Sequence, residues 1–187
     1  MKIAFLLTML AVPFALFIPL SWREAIGSTE TFIDEHIPFI PVFVLPYFSF
    51  FLLIPLTLTV LIPTDLGREC VIAFTIAMWT AAIVWYLIPT SIIRPVVPGT
   101  GPFSAIVRFM YYVDGPANNF PSSHVFLSLM SGYYLSLAMP HWAFVVWAWS
   151  ILSASSTVFV KQHHIIDILG GVVWAVAAVV LAQILLS

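Results

Sequence analysis

The segment Ile165 to Leu186, IIDILGGVVWAVAAVVLAQILL, is long enough to cross a bilayer core and holds one charged residue, Asp167, near its head. About 20 apolar residues suffice for such a crossing. Comparable runs occur at Ile3–Leu20, about Ile37–Ile62, Cys70–Ile88, Val125–Met139 and Trp142–Val160, with Ser122–His124 expected in the first turn of the fourth. The expected fold is all-α: a polytopic six-helix transmembrane bundle forming one domain over residues 1–187. Its helices are expected at about 3–20, 37–62, 70–88, 122–139, 142–160 and 164–186. The second run carries Pro38, Pro41, Pro46 and Pro55, which neighbouring helices can tolerate within a membrane.

Charge supports this class. Six Lys+Arg and eight Asp+Glu make 7% of the 187 residues, whereas soluble domains carry about 25%. So few charges cannot coat a water-facing surface, and the chain is expected to be an integral membrane protein. A net charge of −2 gives no sign of a nucleic-acid partner. Cys70 is the single cysteine, so no intrachain disulfide can form. The first segment is expected to be retained, because the following SWREAIGSTE lacks a small-residue cleavage pattern.

Six crossings put the first, third and fifth connections on one side. The longest connection, Pro89–Pro121, then opens onto the same face as the short KQHH link. The heads of the fourth and sixth helices, with His124 and Asp167, open there too. Within the long connection, FSAIVRFMYYV (Phe103–Val113) is a candidate interfacial helix. Lys2 and Arg68 fall on the opposite side, so the termini are expected in the cytoplasm and the polar rim outside it.

The polar residues on this rim have a chemistry in common. Asp167 is an ionisable residue at the head of an apolar helix, where charge is expensive and implies a partner. His163 and His164 lie four and three residues earlier, so either can share its helix face. A carboxylate on one ring nitrogen fixes the tautomer and makes the other nitrogen a better nucleophile. His124 follows FPSS, a capping signal that also leaves backbone N–H groups and the Ser122 and Ser123 hydroxyls free for an anion. A histidine there can act as general acid on a leaving alkoxide. Arg94 and Lys161 add positive charge for equatorial phosphoryl oxygens, while Arg108 can join them or hold an interfacial helix. Read one at a time, these are ordinary interfacial and capping residues; their convergence points to a phosphate cradle.

The sequences IIRP, FPSSH and SSTVFVKQHHIID resemble, in order and spacing, the three signature motifs of the type-2 phosphatidate phosphatase superfamily, which includes the vanadium haloperoxidases. The family pattern is Lys-x6-Arg-Pro, then Pro-Ser-Gly-His, then Ser-Arg-x5-His-x3-Asp. The resemblance implies that Arg94, Ser122 and Ser123 bind phosphate and that His124 is the general acid. It also implies that His163 forms a phosphohistidine and that Asp167 orients it. Leu87, Ser123 and Thr157 stand where the family has lysine, glycine and arginine, and Lys161 is expected to substitute for one of the missing cations. These departures bring the chain closer to the inositol phosphorylceramide synthase-like branch.

The expected activity is that of a lipid-phosphate phosphatase needing neither cofactor nor metal, acting on a phospholipid or polyprenyl phosphate. A lipid phosphotransferase using the same site is the main alternative. Two others are a metal-dependent hydrolase with His124, His163 and Asp167 as ligands, and an ion or proton transporter.

Overall fold

The computed structural model describes residues 3–187; Lys2, which entered the expected sidedness, lies outside the described residues. The fold is helical apart from a parallel two-residue pairing of β1 (Gly27–Ser28) with β2 (Thr90–Ser91). The helices are α1 (Ile3–Ser21), α2 (Phe32–His36), α3 (Val44–Leu61), α4 (Asp65–Leu87), α5 (Pro102–Val113), α6 (Ser123–Ala138), α7 (Ala143–Phe159) and α8 (Ile165–Leu186). Short 3-10 turns at Pro41–Phe43 and Pro140–Trp142 lead into α3 and α7.

Five of these helical stretches are long and apolar enough to cross a membrane: Ala4–Ser21, Pro41–Leu61, Asp65–Leu87, Pro140–Phe159 and Ile165–Leu186. The expected sixth, α6, has only 16 residues, a length of about 24 Å. Pro121 and Pro140 bracket it and limit its growth at both ends. It is nonetheless the central helix, packed against α3, α4, α7 and α8.

Several boundaries differ from those expected. α3 begins at Val44 rather than near Ile37 because Pro38 and Pro41 keep their preceding residues extended, Ile37 at φ −77°, ψ 120° and Ile40 at φ −128°, ψ 97°. α4 begins at Asp65 rather than Cys70. Thr64 is extended at φ −111°, ψ 165° in the N-cap position, and Asp65 places negative charge in the first turn. The polar turn is therefore already helical. Helix α5 forms over the candidate interfacial segment, with Ser104, Val107 and Met110 buried and Phe109 and Tyr112 exposed.

The bundle carries apolar side chains outward and small polar ones inward. Phe144, Val173, Ile184 and Leu185 are exposed, while Ser128, Ser131, Ser150 and Ser153 are buried between α6 and α7. Ser128 donates to Ser153 across this seam at 3.3 Å. Small residues let helices approach closely where lipid offers no hydrophobic drive to associate.

Close approach also positions the site. A Cβ on Gly170 would collide with the Phe120 ring, and one on Gly171 would meet the Val125 side chain and the Ser122 carbonyl. The head of α8 is thereby seated against the start of α6. Gly171→Leu is expected to lower stability by about 1–3 kcal/mol through overpacking, read as a lower Tm in detergent.

The connections meet at one end of the bundle. Ile26 N–H donates to Pro89 O (2.9 Å), Ala117 N–H to Ser21 O (3.0 Å), Ile40 N–H to Phe159 O (2.9 Å) and Ser122 N–H to Asp167 O (3.3 Å). The first, third and fifth connections therefore share one rim, as the sequence implies.

Candidate active site

Ser122 is the N-cap of α6, its Oγ accepting from Val125 N–H at 3.4 Å, and this puts His124 in the first turn of the helix. The His124 ring is clamped between aromatic rings of α3. Tyr47 stacks on it at 4.3 Å between centroids and Phe50 lies at 4.2 Å. Its Nε2 is buried with no hydrogen-bond partner.

His163 comes from the link between α7 and α8. Thr157 O ends α7 by accepting from both Gln162 N–H (2.9 Å) and His163 N–H (3.3 Å). The His163 ring centroid then lies 6.4 Å from that of His124. Its Nδ1 is 3.4 Å from Asp167 Oδ2, long for a hydrogen bond, and no other group meets that nitrogen.

Asp167 is fully buried. Its Oδ1 accepts from Thr29 Oγ1 at 2.7 Å and its Oδ2 from His164 N–H at 2.8 Å. The same Thr29 hydroxyl is 3.0 Å from His164 Nδ1. Its one proton goes to the carboxylate, so it accepts from His164, which fixes the proton of that imidazole on Nδ1. His164 is thus tied into the helix cap, and His163 is the imidazole left facing the other histidine. The capping role and the orienting contact coexist in one carboxylate.

Arg94 stands differently from the expectation of an open phosphate ligand. Its Nη1 donates to Tyr111 O (3.2 Å) and Asp114 O (2.6 Å), and its Nη2 to Gly115 O (2.9 Å) and Gln162 Oε1 (2.6 Å). The guanidinium also pairs with Asp114 Oδ2 at 3.7 Å and lies over the Tyr111 ring at 4.8 Å. Only Nε lacks an acceptor. Burial pulls Arg94 below its usual range and pushes Asp114 above its own, each offset in part by the other's charge. Gln162 bridges them, its Nε2 donating to Asp114 Oδ2 at 3.3 Å.

Lys161, in a left-handed turn at φ 51°, donates from Nζ to Asp34 O at 2.9 Å. Asp34 ties α2 to the head of α8, accepting from Ile165 N–H at 2.9 Å and from Thr31 N–H and Oγ1–H at 2.8 and 2.6 Å. Burial raises the Asp34 carboxyl, but these bonds more than offset it and hold it below its ordinary value. A lowered carboxylate stabilises the fold above its ordinary value and loses that contribution as pH falls through the lowered one. Asp34→Asn is expected to cost roughly 1–3 kcal/mol at neutral pH. The Tm gap to the parent should shrink as pH drops below 3.8. Arg108 donates to Val97 O (3.3 Å) and Gly99 O (2.9 Å), so it holds the loop before α5.

Two cavities flank the histidine pair. An apolar one of about 230 Å³ is walled by Phe17, Tyr47, Phe51, Phe109 and Val113, with Asp114, Ser123 and His124 at its polar end. A more polar one of about 310 Å³ is lined by Glu30, Asp34, Glu35, Lys161, His163 and His164 together with aliphatic side chains such as Ile37, Ile92 and Val158. Among the described residues no group of three or more His, Cys, Asp or Glu side chains is arranged to hold a metal ion.

The sequence reading missed Thr29, Asp34, Asp114, Gln162 and the aromatic clamp. Gln162 lies inside the KQHH link and Asp114 beside a glycine at a helix end, which are weak local signals. Thr29 has none, being 138 positions from its carboxylate partner. No family model, curated protein or solved structure matches this chain.

Proposed function

We propose that this chain is a multi-pass membrane enzyme that cleaves lipid phosphates through a phosphohistidine on His163. The observation that carries the reading is the His124–His163 pair, 6.4 Å apart between centroids, with His124 lining an apolar cavity and His163 a more polar one. That gap can hold one phosphorus, with a forming P–N bond on one side and a protonated leaving oxygen on the other.

In this reading α6 is a sixth crossing. Its short length is tolerable because neighbouring helices, not lipid, surround it. The rim then faces away from the cytoplasm. The lipid chain lies among the aromatic side chains of the apolar cavity and the phosphate sits between the imidazoles. His163 Nε2 attacks phosphorus, the P–O bond to the lipid breaks, and His124 Nε2 gives its proton to the departing oxygen. Asp167, facing Nδ1, stabilises the positive ring as the P–N bond forms. His124 then takes a proton from water, whose oxygen displaces His163 from phosphorus. A lipid alcohol entering in place of water makes the same enzyme a phosphotransferase. Phe109, Met110 and Val113 of α5 wall the apolar cavity, which suits an amphipathic helix lying at the membrane surface.

The purified chain, reconstituted with a panel of lipid phosphates, tests this. Lipid alcohol should appear with the parent protein and not with His163→Ala. Flux of ions across the vesicle membrane without release of lipid alcohol would instead favour a transporter.

A further inference from the structure

Four of the five lysine and arginine side chains among the described residues are committed within the fold. Arg94, Arg108 and Lys161 donate to backbone carbonyls, and Arg23 donates to Tyr86 O and lies over the Tyr86 ring. Arg68 is the exception. It is exposed near the start of α4 and, among the described residues, pairs with no carboxylate. The neighbouring Glu69 is engaged by the buried Tyr134, whose hydroxyl donates to it at 3.1 Å. The positive end of a helix is a poor place for an unpaired cation.

Arg68 also stands at one end of an apolar cavity of about 360 Å³. Helices α1 and α8 both pack on α4 rather than on each other, and the cavity is the gap between them. Leu6 and Met9 of α1, Ile72 and Ile76 of α4 and Leu185 of α8 wall it. Phe5 and Leu185 are exposed at its edge, so it opens towards lipid. It lies at the end of the bundle away from the histidine rim, since α1 and α4 run towards that rim and α8 runs from it. Its shape selects the occupant. From Arg68 to Ile76 it follows about 12 Å of α4. Spread over that length, the volume gives a cross-section of about 30 Å², against roughly 80 Å² for a helix about 10 Å across. A hydrocarbon chain fits there and a helix of a second copy does not.

We propose that this cavity binds an anionic phospholipid of the leaflet opposite the rim, with an acyl chain between α1 and α8 and the phosphate on the Arg68 guanidinium. The inference goes beyond the lipid-phosphate reading and does not rest on it. A guanidinium meets a phosphate with two parallel N–H bonds. A zwitterionic lipid brings its own cation to that phosphate, whereas an anionic one leaves its charge for Arg68. The bound chain fills the gap beside α1, which packs chiefly on α4. It thereby steadies the helix whose Phe14 and Phe17 wall the cavity next to His124.

The test titrates the full chain in nonionic detergent micelles with phosphatidylglycerol or with phosphatidylcholine of identical acyl chains. Bound lipid is counted by native mass spectrometry and Tm is followed in parallel. Phosphatidylglycerol should bind about fivefold more tightly, the effect of one cation at the membrane surface, and should raise Tm more. In Arg68→Gln the two lipids should bind alike. That side chain is exposed, so without lipid the variant should melt like the parent. Ile72→Trp, which fills the cavity and keeps Arg68, should weaken binding of both lipids. Equal binding of the two lipids by the parent overturns the inference. So does a preference that survives Arg68→Gln, as it would if the lipid sat at the histidine pair, or binding unchanged by Ile72→Trp. Each of these results leaves the phosphohistidine reading standing, because binding and not turnover is measured.

Discussion

Replacing His163 with alanine is expected to reduce lipid alcohol release at least about 10³-fold, because the variant has no atom to form the P–N bond. The fold should survive. His163 makes no side-chain hydrogen bond, and its one close polar contact is the 3.4 Å approach to Asp167. Tm in detergent should therefore change little while turnover vanishes. His124→Ala should cost about 10²–10⁴-fold, the range for losing a general acid. It should cost less for substrates with acidic leaving groups, which depart without a proton. His164→Ala should behave in the opposite sense. That ring is bound to Thr29 at the head of α8, whose cap is completed by Asp167, so its loss should lower Tm more than turnover. A large activity loss at His164 with none at His163 would reverse the two roles.

The second large effect is structural. Arg94→Ala is expected to cost about 1–3 kcal/mol, since it strands polar partners, among them the partly buried Asp114 carboxylate, without their donor. It also leaves the carbonyls of Tyr111, Asp114 and Gly115 without their donor. Arg94→Lys should recover only part of this, because one ammonium cannot reproduce a planar fork over four acceptors. Thermal melting of the three proteins measures it. An arginine that served phosphate alone would show unchanged Tm with a raised KM, so the measurement separates the two roles.

The parts legible in the sequence are those written in local pattern. Long apolar runs locate the five helices that are long and apolar enough to cross a membrane, and the His124 and Asp167 ends, expected on one rim, do meet there. Amphipathic spacing in Phe103–Val113 reveals α5. Hydropathy fails at helix ends, because it reports where a chain meets lipid and not where its backbone caps. That is why α4 starts at Asp65, inside a polar turn, and why α3 waits until Val44. The site was legible only in its histidines and aspartate. What surrounds them depends on pairings between distant connections, such as Thr29 with Asp167 and Asp34 with Ile165. Arg94 is the instructive case. Its position in the chain matches a phosphate ligand, but the carbonyls of Tyr111 and Asp114 have taken up Nη1, and Gly115 O and Gln162 Oε1, brought close by the fold, have taken up Nη2.

One measurement reaches the centre of the proposal. The protein is mixed with a turnover-competent lipid carrying labelled phosphorus, quenched in base within one turnover, digested and sequenced by mass spectrometry. The label should sit on the peptide containing His163, be stable to base and lost in acid, and be absent when His163 is alanine. Lipid alcohol release without label on that histidine, or with label on another side chain, would contradict the proposal.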